Sequence, residues 1–184
     1  ITLNCFYLCI AFRCAWVANG LPLSKFRSNV CLITYGDDSI LSVKEEYADS
    51  FDHAAISFGM ASIGLNYTDA LKRDPTQCER SKTIDEISFL KRKFVYSPDF
   101  GTTVGPLELE SILRRPLWMT SKGDEKELMK ARCDDSLLDL VLHGRSTWDE
   151  YAPHIIKAYQ DEYVDSLPNN TWEMCLNAVR EQMA

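Results

Sequence analysis

No acidic residue precedes Asp37, and before it the only charges are Arg13, Lys25 and Arg27. The opening run ITLNCFYLCIAF ends at Arg13, is too short to span a bilayer, and is followed by no membrane span. It also lacks the basic stretch that opens a secretory signal. None of the seven cysteines (Cys5, Cys9, Cys14, Cys31, Cys78, Cys133, Cys175) pairs with another at C-x-x-C spacing. The three histidines, His53, His143 and His154, form no metal-ligand spacing with them. Four cysteines lie in apolar runs, where a thiol behaves as a small hydrophobe, and this favours a reduced, intracellular compartment. Basic excess is missing too: 20 Lys plus Arg face 27 Asp plus Glu, a formal charge of −7, the wrong sign for a protein that merely coats nucleic acid. Ser39 and Ser42 have no neighbouring His and Asp set of the kind a hydrolase needs. Repeats and low-complexity segments are absent.

What is present suits one globular unit of ordinary size: 184 residues, 46% apolar and 26% charged. Leu3, Cys5, Phe6, Cys9, Ile10, Phe12, Cys14, Ala15 and Val17 leave the first helix almost no polar face, so it requires cover on nearly all sides. Asn19-Gly20 and Pro22 stop it and open a short basic connection, Ser24 to Ser28. Two β-prone runs, 29–34 and 39–43, flank Tyr35-Gly36-Asp37-Asp38, which has hairpin spacing with turn formers at its tip. Residues 49–63 are predicted as an amphipathic helix with Phe51, Ala54, Ala55, Phe58 and Ile63 on its apolar side and Gly64 at its end. A short edge strand is expected over 65–68, a surface loop over 72–83, and a strand over 87–96 turned by Ser97-Pro98-Asp99.

From Leu107 the period becomes helical. Helices are expected over 107–118, 124–143, 147–165 and 171–183, with Asp124, Thr147 and Thr171 near their starts. Tyr151, Ile155, Ile156 and Tyr159 recur at helical spacing and read as core rather than as a base-stacking surface. The fold class is therefore α+β, mixed in the first half and helical in the second. Charge divides with it: residues 124–184 hold 13 acids and 6 bases, whereas 1–123 hold 14 of each.

Asp37-Asp38 is the chemically pointed feature. Two adjacent carboxylates at a turn repel each other unless a cation sits beside them. Hard divalent ions such as Mg²⁺ take such oxygens, above all where a substrate phosphate supplies more. Gly36 lets the backbone bend tightly beneath them. The same residues also fit an ordinary solvated hairpin tip. The apolar strands on both sides, read as a fully buried hairpin, place the tip at an internal cleft instead.

Ile33-Thr34-Tyr35-Gly36-Asp37-Asp38-Ser39-Ile40 resembles motif C, the metal-binding turn in the palm of viral RNA-dependent RNA polymerases. Phe58-Gly59 through Gly64-Leu65-Asn66-Tyr67-Thr68-Asp69-Ala70-Leu71-Lys72 resembles motif D, and Phe89-Leu90-Lys91-Arg92-Lys93-Phe94 resembles motif E. Ile1-Thr2-Leu3-Asn4 is similar to the end of motif B. Gly105-Pro106-Leu107-Glu108-Leu109-Glu110-Ser111-Ile112-Leu113, with Pro116-Leu117-Trp118, is similar to the segment leading into the thumb of picornavirus-like enzymes (Picornavirales), in the dicistrovirus, iflavirus and marine branches.

The resemblance implies a partial palm over 1–104 (core helix, Tyr-Gly-Asp-Asp hairpin, helix, and an edge strand or hairpin) and an all-helical thumb over 105–184. It implies template-directed nucleotidyl transfer from NTPs to an RNA 3′-hydroxyl by a two-metal mechanism, with Asp37 the main ligand and Asp38 secondary. Mg²⁺ is the expected ion and Mn²⁺ its alternative. Asn4 would read the ribose 2′-hydroxyl of the incoming nucleotide, with a helix N-cap as the plain alternative. Lys72 matches the motif D general acid, although Arg73 next door competes for that match. Lys91, Arg92 and Lys93 would support the primer backbone, and strand alternation puts the two lysines on one face and Arg92 on the other. Otherwise they form a charged edge strand that resists aggregation.

Motif A, the Ser-Gly loop of motif B and the basic fingers residues have no counterpart in the sequence, so the chain is expected to be inactive alone. Its partners would be RNA template and primer, NTPs, the N-terminal fingers and palm of the same polyprotein, and other viral replication proteins. The implied location is the host cytoplasm, at membrane-associated replication complexes. Two other readings compete: a non-catalytic interaction module whose acidic helical half binds a protein, and a reverse-transcriptase-like palm, whose turn usually differs at its second position.

Overall fold

Trp16 organises the first half of the chain. In the computed structural model, which describes residues 2–78, 82–118 and 123–183, the chain divides into two units, Ile1–Phe89 and Leu90–Ala184. Trp16 lies on α1 (Thr2–Ala18), fully buried, with ring centroids of Phe26 at 5.6 Å, Tyr47 at 5.1 Å and Phe51 at 5.0 Å. Such tilted and edge-on pairs contribute about 0.5–1.5 kcal/mol each beyond area burial. Its indole N–H donates to the Pro22 carbonyl at 3.0 Å, bracing the turn that follows Gly20 (φ 77°). Of α1 only the stripe Ala11, Phe12, Ala15 and Trp16 is buried, at helical spacing. Leu3, Phe6 and Tyr7 are 65%, 63% and 66% exposed. Cover on nearly all sides, as the sequence requires, is therefore not supplied by the described residues.

The basic connection after Pro22 is itself a short helix, α2 (Leu23–Asn29), because Phe26 turns inward and the Arg13 guanidinium sits 4.8 Å from its ring centre. β1 (Val30–Tyr35) and β2 (Asp38–Val43) follow as an antiparallel pair, in register from Val30 opposite Val43 to Tyr35 opposite Asp38. α3 (Glu45–Ala48) precedes α4 (His53–Ala61), whose first turn is capped by the Asp52 carboxylate accepting from the Ala55 N–H at 2.8 Å.

The helix expected over 49–63 thus starts later, and its buried side is Ile56, Gly59 and Met60, while Phe58 is exposed. Phe51 still enters the core from the loop before it. Gly59 explains the orientation: a Cβ there would stand 2.5 Å from Ala15 Cα, so α1 and α4 approach as closely as a missing side chain allows. Gly64 (φ 79°) ends α4 as expected. Residues 65–68 form no strand.

The strand expected over 87–96 is broken into β3 (Ser88–Phe89), β4 (Arg92–Lys93) and β5 (Val95–Ser97). Leu90 (φ 53°) and Lys91 (φ 61°) both have left-handed backbone, which a continuous strand cannot contain. β3 lies beside β2 in the first unit. The unit boundary also falls here, ahead of the 104/105 division drawn from sequence.

In the second unit β5 pairs with β6 (Thr102–Val104), and β4 is bridged to Leu107. Four helices follow. α5 (Leu109–Arg114) passes into a 3₁₀ turn at Pro116; α6 (Glu125–Leu140) is capped by Asp124; α7 (Arg145–Tyr163) starts at Gly144 rather than Thr147; and α8 (Trp172–Met183) has the Thr171 hydroxyl accepting from the Met174 N–H. Their core joins Ile112, Leu137, Leu140, Trp148, Tyr159, Trp172 and Cys175, with Tyr151, Ile155 and Ile156 packed against it. The aromatic run from Trp148 is core, as its spacing predicts. Among the described residues no single helix is long and apolar enough to cross a membrane.

Candidate active site

The acidic turn is built by the β1–β2 hairpin. Its loop is Gly36-Asp37, with a positive φ (67°) at Gly36 and none at Asp37, the pattern of a type II′ turn whose twist suits paired strands. A glycine is needed at that first position, and the sequence has one. Asp37 occupies the tip and Asp38 is the first residue of β2, opposite Tyr35. Both carboxylates are exposed. Contrary to the fully buried hairpin read from its apolar runs, only one face is packed: Val30 is buried and Leu32 and Thr34 half-buried, while Cys31, Ile33 and Tyr35 face outward.

Two thiols of α1 support this turn, and sequence reasoning missed them because it treated cysteine as a small hydrophobe. The Gly36 N–H donates to Cys5 Sγ at 3.2 Å, and the Cys5 thiol donates to the Thr34 carbonyl at 3.6 Å. One turn along, Cys9 Sγ lies 3.9 Å from the Thr34 hydroxyl. Asn4, exposed near the start of α1, is therefore next in sequence to the residue that touches the turn.

Lys72 belongs to the loop that leaves the first unit's core at Tyr67. Burial raises the Tyr67 phenol above its ordinary pKa, an effect that the Ser39 side chain, one residue after Asp38, partly offsets. The ring packs edge-on against Phe12 at 5.6 Å and beside His53 at 5.0 Å. His53 Nε2 is buried without a hydrogen-bond partner among the described residues, and desolvation lowers the pKa of that imidazole. Lys72 itself is exposed and has left-handed backbone (φ 55°). Asn4, Asp37, Asp38 and Lys72 all lie in the first unit.

The basic run lies in the second unit and behaves differently residue by residue. Lys91 is exposed, with Nζ 3.4 Å from the Ser111 hydroxyl and 3.9 Å from Glu108. Lys93 is exposed, its backbone N–H donating to the Pro106 carbonyl at 3.1 Å. Arg92 is half-buried: it donates to the Gly105 carbonyl at 2.7 Å and to Asp139 Oδ1 at 3.0 Å, and Arg115 donates to the other oxygen of Asp139 at 2.5 Å. Arg92 and Lys93 alternate as strand neighbours do, whereas Lys91 lies outside β4 with left-handed backbone, so the expected alternation does not extend to it.

Asp37 and Asp38 are hard oxygen donors, exposed and adjacent, which suits a small divalent ion in part. Among the described residues no group of three or more His, Cys, Asp or Glu side chains could enclose one. Two carboxylates can hold one side of such an ion; further oxygens must come from elsewhere.

Residues 3–164 match the family model for viral RNA-dependent RNA polymerase. The chain belongs to the viral RNA-dependent RNA polymerase family. It is similar to the replicase polyprotein of Acute bee paralysis virus (strain Rothamsted), 29% identical over 150 residues, covering 82% of this chain and 8% of that protein. The replicase polyprotein of Drosophila C virus (strain EB) is 31% identical over 157 residues, covering 82% of this chain and 9% of that protein. The RNA1 polyprotein of Grapevine chrome mosaic virus is 34% identical over 166 residues, covering 83% and 7%. The chain thus spans under a tenth of the length of the relatives it matches, and it is placed with the polymerases of picorna-like viruses. In this chain the tyrosine, glycine and two aspartates of the hairpin were legible from sequence. Asp69, whose carboxylate accepts from two backbone N–H groups and from Arg73, was not singled out, although an Asp four residues before an Arg is a readable pairing signal.

Proposed function

We propose that this chain forms part of the centre at which a viral polymerase transfers nucleotides from NTPs to the 3′-hydroxyl of an RNA primer under the direction of an RNA template. The observation that carries the reading is the hairpin tip, where Gly36 permits the tight turn and Asp37 and Asp38 stand exposed side by side. Asp37, with Asp38 secondary, would hold Mg²⁺, or Mn²⁺ in its place. When bound in pairs, such ions lower the pKa of the attacking hydroxyl and offset charge on the leaving pyrophosphate.

The remaining roles belong to side chains. Asn4, with both a donor and an acceptor, suits recognition of a ribose 2′-hydroxyl and so selection of NTP over dNTP. Lys72 would give its proton to the leaving pyrophosphate, as a general acid placed at the exit of the reaction. Lys91 and Lys93, exposed, would contact primer phosphates, contacts that position RNA without reading it. Arg92 would support them through Asp139 and the Gly105 carbonyl. In this reading the first unit is palm and the helices of the second are thumb. A two-metal centre needs more oxygen ligands than Asp37 and Asp38 supply, so the rest of the polymerase contributes a further carboxylate and this chain is inactive by itself. RNA template and primer, other viral replication proteins, and a membrane-associated site in the host cytoplasm complete the proposal.

The test is template-directed incorporation of labelled NTP by the complete polymerase carrying Asp37→Asn. Loss of synthesis is expected; unchanged synthesis overturns the reading and favours a non-catalytic interaction module.

A further inference from the structure

Lys72 lies on no helix or strand, yet its backbone holds a left-handed φ of 55° that a lysine adopts only where its surroundings impose it. One residue imposes it. Asp69 Oδ1 accepts from the Leu71 N–H at 3.1 Å and from the Arg73 N–H at 2.8 Å, so the carboxylate grips the chain on both sides of Lys72. Asp69 Oδ2 accepts from Arg73 Nε at 2.7 Å. The Lys72 N–H donates to the Asp69 carbonyl at 3.0 Å, closing the turn from within. The Asp69 side chain is 14% exposed. These backbone bonds and the Arg73 guanidinium hold its carboxyl down to about 2, so the grip is ionised at any pH at which a polymerase works.

The loop has an anchor as well as a clamp. Two residues upstream, Tyr67 packs against Phe12 of α1, and the Ser57 hydroxyl donates to the Tyr67 carbonyl at 3.3 Å. Downstream, the Asp74 carboxylate accepts from the Thr76 N–H at 2.9 Å and starts the next turn. Tyr67 fixes where the loop leaves the first unit's core, and Asp69 fixes the path it takes to Lys72.

We propose that Asp69 is a positioning residue for Lys72, holding the left-handed turn that carries this lysine to the leaving group. The proposal rests on the reading of Lys72 as proton donor. Asp69 touches no reacting atom in this role and acts only through the backbone of residues 71–73.

The experiment is single-turnover nucleotide incorporation by the complete polymerase, reading the maximal rate and the apparent NTP affinity separately. Lys72→Met should lower the rate by roughly 10²-fold, the lower range for general acid catalysis, with affinity little changed. Asp69→Ala should lower the same rate constant about tenfold or more. Asp69→Asn, which keeps an oxygen for the two N–H groups, should recover part of the loss. Adding Asp69→Ala to Lys72→Met should cost nothing further, because the clamp then has no proton donor to place. Full activity in Asp69→Ala, or an equal loss in both backgrounds, overturns the proposal and leaves Asp69 a local brace. If Lys72→Met alone keeps the wild-type rate, the reading of Lys72 fails and the Asp69 proposal falls with it.

Discussion

The two units differ in what their surfaces carry, although both leave apolar side chains exposed, Trp118 and Val164 in the second among them. The second closes its own core and dresses the outside with ion pairs: Lys126 with Asp165 at 3.0 Å, Arg145 with Asp149 at 2.9 Å and Lys157 with Asp161 at 2.5 Å. These are exposed pairs worth little individually, on the order of 0.2–1 kcal/mol each. They show what the acidic half of the sequence is for, since most of its charge lies on helix faces turned to solvent. The first unit leaves Leu3, Phe6, Tyr7 and Ile10 of α1 and Ile33 and Tyr35 of β1 open. Leaving apolar area in water forgoes about 25 cal/mol per Å². A net charge of −7 summed over the chain conceals this contrast.

The contrast can be broken at its tightest points. The largest effect is expected from Gly59→Ala in the first unit, where a Cβ would meet Ala15 backbone at 2.5 Å. Forcing α1 and α4 apart should cost about 1–3 kcal/mol, seen as a lower melting temperature. An unchanged melting temperature would mean that the two helices are free to separate.

In the second unit, Asp139→Ala should cost about 1–2 kcal/mol by removing the shared acceptor of Arg92 and Arg115, less than for a fully buried network because Arg92 is partly in water. It should also weaken primer–template binding by the complete polymerase, if Arg92 supports the basic run. Wild-type stability and binding together would remove Asp139 from the account.

The smallest effect separates the units by thiol chemistry. Burial raises the Cys133 thiol and pushes Cys175 up to about 12, so both stay protonated at pH 8, and neither presents the reactive thiolate. Exposed Cys31 should therefore be alkylated first, and Cys133 and Cys175 only on unfolding, as mass spectrometry of a timed reaction would report. Early labelling of Cys175 would show that the second unit's core is open.

Much of this was legible in the residues, and the misses have physical causes. Glycine and paired aspartates between β-prone runs specify a hairpin locally, so the acidic turn could be read directly. Helix starts at Asp124 and Thr171 were readable because capping is also local. The buried side of α4 was not, since helical spacing alone admits Phe58 as readily as Met60, and the choice was made by Gly59 against Ala15, contacts distant in sequence. The strand over 87–96 failed because nothing in Leu90-Lys91 announces left-handed backbone in the way a glycine would. Support of the turn by Cys5 depended on which side of α1 faces β1, again a tertiary fact.

The central claim is that the Asp37-Asp38 turn serves nucleotidyl transfer, and single-nucleotide incorporation by the complete polymerase at saturating Mg²⁺ tests it most directly. With Asp37→Asn, which keeps shape and removes charge, the account predicts a rate lower by on the order of 10²–10³-fold or more. A rate within a few-fold of wild type would contradict it.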